Sequence, residues 1–212
     1  MQGRTDRSAE PPAGMDGRPH GVDLYWLPLG AGGNFVRLNG KIYEAIRSRI
    51  ERRPACDLYH SGLVLYVPDG RYVIEQTPVY DNRGSERGVV ALGAVGARWA
   101  ARFRMFRWEL RRWRDGEIPD IGEAVDSPRR LSDDERVARR ILELAPRIPN
   151  LVWGRDEIGA GEMWNSNSII AWLLEGAGLD AASIKPPPHG RAPGWSAGVA
   201  ASHRAIAWSA KT

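Results

Sequence analysis

The strongest constraint on what this 212-residue chain can fold into is a β-hairpin. Leu58-Tyr-His-Ser-Gly-Leu-Val-Leu-Tyr-Val67 and Arg71-Tyr-Val-Ile-Glu-Gln-Thr-Pro-Val79 are rich in β-branched and aromatic residues. They flank Pro68-Asp69-Gly70, residue types that turn a chain. A two-residue Asp-Gly turn pairs Pro68 with Arg71 and Val64 with Glu75. Strand side chains alternate between faces, so His60, Gly62, Val64 and Glu75 share one face and Gln76 lies on the other. In this register Glu75 sits four residues along from His60, roughly 13 Å at about 3.3 Å per residue. Direct contact then needs a wider loop, a bulge or strong twist.

A second stretch, Glu162-Met-Trp-Asn-Ser-Asn-Ser-Ile-Ile-Ala-Trp-Leu-Leu-Glu-Gly-Ala-Gly178, reads as a short buried helix. Asn165 or Ser166 caps it, since their side-chain oxygens satisfy first-turn amides. Ile169, Ile170, Leu173 and Leu174 recur at helical spacing, and Gly176 or Gly178 supplies the left-handed stop. A packed body therefore holds the polar start, Asn165 to Ser168, in a fixed place. A hydroxyl there sits at the positive end of the helix dipole, beside amides able to hold an oxyanion. The same pattern also describes a well-capped core helix with no chemistry.

Around these two elements the chain reads as follows. Residues 1–20 are polar, rich in Gly and Pro, and form a disordered tail. Val22 to Leu29 is a strand, Gly30-Ala-Gly-Gly33 a turn matching no phosphate-binding fingerprint, and Lys41 to Arg52 an amphipathic helix. Val89 to Val95 is a strand. Arg98 to Arg114 interleaves arginines with aromatics. Its alternation holds over Arg102 to Met105 and resumes one step out of phase from Phe106, as in a long or bulged strand with a basic face. Such a face suits bases or acidic lipid headgroups. The simpler reading is one strand with its aromatic side in the core. Ser132 and Glu135 make a capping box opening a helix striped by Val137, Ile141, Leu142 and Leu144. Leu179 to Thr212, including Pro186-Pro-Pro-His189, reads as an irregular strap with a frayed end.

At 42% hydrophobic content one domain is expected over residues 21–212. No apolar run approaches the roughly 18 to 20 residues of a membrane span, and the N-terminus lacks a signal-peptide core. The single cysteine, Cys56, excludes an internal disulfide and a cysteine-rich metal site. It fits a reducing, cytoplasmic setting. Neither metal nor cofactor is expected. The net charge of +4 is modest, so a nucleic-acid partner is not the first expectation.

The motifs in their order resemble the circularly permuted papain-like superfamily, which includes NlpC-type peptidases, lecithin:retinol acyltransferase-like enzymes and YiiX-like proteins. Tyr59-His-Ser-Gly-Leu-Val-Leu-Tyr-Val-Pro-Asp-Gly-Arg-Tyr-Val-Ile-Glu75 is similar to the family's histidine strand, turn and return strand. Trp164-Asn-Ser-Asn-Ser-Ile-Ile170 is similar to the acyltransferases' Asn-Cys-Glu-His-Phe-Val helix start, which sets Ser166 on the nucleophilic cysteine. The resemblance implies an α+β fold, an antiparallel sheet of about four to six strands with packed helices. It implies a hydrolase or acyltransferase acting on an amide or ester of a small molecule, peptide or lipid. Ser166 would attack, His60 act as base and Glu75 or Gln76 orient the ring, with Trp164, Asn165, Asn167 and Ser168 around the substrate. Serine is much harder to deprotonate than the family's cysteine and depends on a well-oriented base. A second reading therefore stands beside the first: the fold kept as a binding module. A third, nucleic-acid binding by residues 98–114, predicts steep salt dependence.

Overall fold

A computed structural model describes residues 20–29, 56–79, 81 and 84–209, with side chains as far as Arg204. Residues 1–19 of the expected tail, the 30–33 turn and the 41–52 helix lie outside these. The strands are β1 (Gly21–Pro28), β2 (Asp57–Val67), β3 (Gly70–Pro78), β4 (Val89–Ala94), β5 (Arg107–Arg114), β6 (Val125–Ser132) and β7 (Gly190–Arg191). The first six pair antiparallel in the order β4-β5-β3-β2-β1-β6, while β7 pairs parallel with Asp57 and Leu58 of β2. Three α-helices join the sheet among the described residues: α1 (Glu135–Leu144), α2 (Ser166–Gly176) and α3 (Trp195–Ser209). The architecture is α+β with a mostly antiparallel sheet.

The hairpin turns one residue earlier than an Asp-Gly turn would, which shifts the pairing of the strands by two. Val67 faces Gly70 and Val64 faces Val73, so Pro68 and Asp69 are the turn residues. Proline's fixed φ suits the first central position of such a turn, and glycine is favoured just after it. A two-residue slip preserves side-chain parity, whereas a one-residue slip would invert it. His60 and Glu75 therefore still share a face. Continued by one step, the register sets Glu75 opposite Gly62, only two residues from His60.

The β2–β3 ladder ends at Leu63 opposite Ile74. Beyond it β3 continues along β5, from Glu75 opposite Arg111 to Pro78 opposite Trp108. β2 continues along β1, and its first two residues take β7 as neighbour. Residues 59–62 of β2 thus have a strand on one side only, and the sheet opens between them and the end of β3.

Each face of the sheet carries a core. Tyr59, Leu63, Leu65 and Val67 of β2 pack with Val22, Leu24 and Trp26 of β1 against α1 and α2. Val64 packs on the other face with Leu27, Val73 and Ile118. In α2 the expected residues Ile169, Ile170, Leu173 and Leu174 are essentially solvent-free, each contributing about 1.5–3 kcal/mol by burial. Gly178, at φ 88°, follows the helix as its left-handed stop.

Three expectations are corrected. Arg98 to Phe106 forms two 3₁₀ turns, Arg98–Arg102 and Arg104–Phe106, and only Arg107–Arg114 is strand. The phase break near Phe106 marks where the chain enters the sheet. Ser132 ends β6 rather than capping α1. The cap is Asp134, whose side chain accepts from Arg136 N, and Ser132 Oγ accepts from Asp134 N. β6, with Pro128 and four charged or hydroxyl neighbours, has an edge strand's composition, which periodicity does not detect. The strap becomes a 15-residue helix from Trp195.

That last helix escapes periodicity because its packing face is made of small residues. A Cβ on Gly198 would stand 2.1 Å from the Ser168 carbonyl oxygen and 2.8 Å from Ala171 Cβ. Alanine in place of a helical glycine normally gains about 1 kcal/mol. Here Gly198→Ala is expected to cost about 1–3 kcal/mol by overpacking, read as a lowered urea midpoint. A raised midpoint would show that α3 does not lie this close to α2.

Candidate functional site

The start of α2 is built from side chains that bond to one another. Asn165 Oδ1 accepts from Asn167 N at 2.9 Å and Ser168 N at 3.3 Å, while Ser168 Oγ accepts from Asn165 N at 3.0 Å. The Ser168 hydroxyl donates to Gly194 O at 2.7 Å. Asn167 Nδ2 donates to Tyr59 O at 2.9 Å and Pro193 O at 3.0 Å. Ser61 Oγ donates to Asn167 Oδ1 at 2.9 Å. Asn167 thus supplies a hydrogen bond to the stretch of β2 that lacks a strand neighbour on one side.

These bonds decide what the helix start can do. Ile169 N donates to Asn165 O, so of the first four amides only that of Ser166 is uncommitted. One amide is a poor oxyanion hole, which needs converging donors. Ser168 is fully buried with its proton already donated, so it is no alternative nucleophile. Ser166 is half-exposed; Asn165, Asn167 and Trp164 are buried.

The sheet separates Ser166 from His60. β1 and β2 pair without a bulge, with Ser61 opposite Trp26 and His60 opposite Leu27. Ser61 meets Asn167 of α2, whereas Leu27 belongs to the core on the far face. Strand alternation therefore turns His60 away from α2. On the helix side, where a base for Ser166 would stand, the residue is Ser61. The expected trio is split: His60 and Glu75 share one face without a bond between them, Ser166 stays on the other, and Gln76 shares the helix side.

The far face has its own electrostatics. Glu75, Thr77, Glu109 and Arg111 are all buried there. Arg111 lies opposite Glu75 in the ladder but gives its guanidinium to Glu109, at 2.8 and 2.7 Å. Arg87 reaches the same Glu109 oxygen at 3.6 Å and bonds Asp81 at 2.6 Å. Glu75 is left with Oε2 buried and without a hydrogen-bond partner. Burial pushes its carboxyl up to about 7, against the attraction of Arg111. His60, though partly reached by water, is hemmed in closely enough that burial pushes it down to about 4; nearby Asp120 offsets part of this. Glu75 at 4%, Gln76 at 8% and Thr77 at 7% exposure all hold polar atoms without partners, in the half of β3 from which β2 has parted.

A groove lies elsewhere, between α3 and residues 182–192. It is open, about 530 Å³, and lined by Ile184, Trp195 and Val199 with Lys185, Arg191 and His203. Glu162, on its rim, accepts from the amides of Gly194 and Ser196 at 3.0 and 3.3 Å and so caps α3. His203 Nε2 is 2.8 Å from Glu175 Oε1. These residues escape sequence reading because the segment looks like an irregular strap. The alanine-rich run after Trp195 is the signal that marks a helix there. Among the described residues no group of three or more His, Cys, Asp or Glu is arranged to hold a metal ion, and no helix is long and apolar enough to cross a membrane. Comparison with protein-family models, with characterised proteins and with solved structures finds no match to this chain.

Proposed function

We propose that this chain is a non-catalytic binding module on a body of the permuted papain-like kind, receiving a small amphipathic anion in the groove beside α3. The kinship is supported by α2, packed against the β2–β3 hairpin with its start over Ser61. The observation that carries the loss of chemistry is the residue facing that start. A serine hydroxyl cannot take a proton from Ser166 near neutrality, and His60 lies across the sheet. The ligand class follows from the groove's lining, apolar side chains flanked by Lys185 and Arg191.

Two measurements test this together. A serine-directed fluorophosphonate is expected to leave Ser166 unlabelled. Decanoate is expected to bind, with Ser166→Ala binding it equally and Lys185→Glu roughly tenfold more weakly, the loss of one charge-assisted contact. Labelling of Ser166 that disappears in His60→Ala would replace the module by a hydrolase or acyltransferase. Decanoate binding indifferent to Lys185→Glu would remove the groove from the account.

A further inference from the structure

Exposed apolar side chains are unevenly spread over this molecule. Of the seven large ones exposed among the described residues, Leu92 comes from β4, Trp99, Met105 and Phe106 from the two 3₁₀ turns and Phe103 from between them, and Trp153 is bridged to Val95 beside them. Trp99 is 67% and Met105 77% exposed, so burial of these side chains adds little to folding. The same segment holds Arg98, Arg102, Arg104 and Arg107 and no acidic residue from Gly88 to Trp108. An exposed apolar group mixed with cations marks a surface that meets something else.

We infer that residues 98–106 dock this protein onto an anionic phospholipid surface, with Trp99, Phe103 and Met105 entering the interface and Arg102 and Arg104 meeting the headgroups. Three features favour a bilayer over a nucleic acid. Three of the loop's amides are satisfied by carbonyls of the loop or its start, Ala100 N by Ala97 O, Phe103 N by Ala100 O and Phe106 N by Phe103 O. Backbone closed on itself can enter a region poor in water without leaving amides unbonded. Arg102 already lies over the rings of Trp99 and Phe103, 5.1 and 4.7 Å from their centroids, which takes ring faces a base would stack on. The most exposed large apolar side chain among the described residues is Met105, with no use in base stacking but fitting for acyl chains. Arg98 is tied to Glu157 at 2.9 Å and Arg107 to the carbonyls of Ala101 and Arg102, so they brace the loop. Arg102 and Arg104 carry the charge that meets the phosphates.

The experiment is co-sedimentation of the full chain with phosphatidylcholine vesicles, with and without about 30% phosphatidylserine. Binding is expected only to the anionic vesicles, and raising salt toward 1 M, where the Debye length is about 3 Å, should abolish it. Arg102→Glu with Arg104→Glu, and separately Trp99→Ala with Phe103→Ala and Met105→Ala, should each weaken binding at least roughly tenfold. All five residues are exposed, so unchanged thermal midpoints verify folding of both variants. No binding to anionic vesicles would overturn the inference. So would binding that ignores the apolar triple change, or retention of a single-stranded oligonucleotide but not of vesicles.

Discussion

Asn167→Ala is expected to destabilise the protein by about 3–5 kcal/mol, because it strands two buried groups at once. Tyr59 O accepts from Asn167 Nδ2, and Ser61 Oγ donates to Asn167 Oδ1, both at 2.9 Å. Each orphaned group costs about 1–3 kcal/mol, and the deleted amide leaves a small void besides. Pro193 O keeps a donor in Asn165 Nδ2 at 2.8 Å, so that contact adds little. Asn167→Asp should be worse still. It keeps an acceptor for Ser61 but turns a buried carboxylate oxygen toward two carbonyls. Urea unfolding reads the loss directly, as a lowered midpoint at constant slope. The double change Ser61→Ala with Asn167→Ala should cost less than the sum of the single ones, as expected for two residues in direct contact. A residue there to meet a ligand would behave otherwise, its alanine variant staying within about 0.5 kcal/mol of the parent. That outcome would return the helix start to the list of binding surfaces.

The same residues show what the sequence makes legible. The capped start of α2, its buried stripe and its left-handed stop are local features, written within a few residues of each other. The shared face of His60 and Glu75 is legible too, since parity depends only on the turn being even. Which face meets the helices is not. Leu58, Val64 and Tyr66 make one face of β2 about as apolar as Tyr59, Leu63 and Leu65 make the other. With both faces covered, alternation has nothing to choose between, and the histidine went to the side without α2. α3 was hidden for a different reason: close helix contact selects glycine and alanine, which carry no hydrophobic stripe. In residues 98–106 the aromatics look like a core because aromatics usually are core, yet here they face outward.

Between pH 5 and 8 the far face of the sheet should give the protein a stability profile that two substitutions pull in opposite directions. Burial raises Glu75 from an ordinary 4.5 to about 7, so between those values the folded protein holds a proton that the unfolded chain has released. Stability from this group is present below about 4.5 and is lost as pH rises through about 7. Burial lowers His60 from 6.5 to about 4, so over that window the unfolded chain holds the extra proton and stability rises with pH. The two slopes oppose each other from about 4.5 to 6.5 and nearly cancel in the parent protein. Glu75→Gln keeps the side chain's volume and cannot ionise. It should free the rising slope of His60, and at pH 8 exceed the parent by up to about 3 kcal/mol, since the carboxylate no longer has to be buried charged. His60→Gln should do the reverse, exposing a fall in stability through about pH 7 that belongs to Glu75. Arg111, held by Glu109, and Asp120 are unchanged in both variants, so the differences report the two substituted groups. Urea unfolding at pH 5 and pH 8 is sufficient. A Glu75→Gln protein that tracks the parent at both values would mean the carboxyl finds water or a partner in solution, and the sheet would then be open on that side.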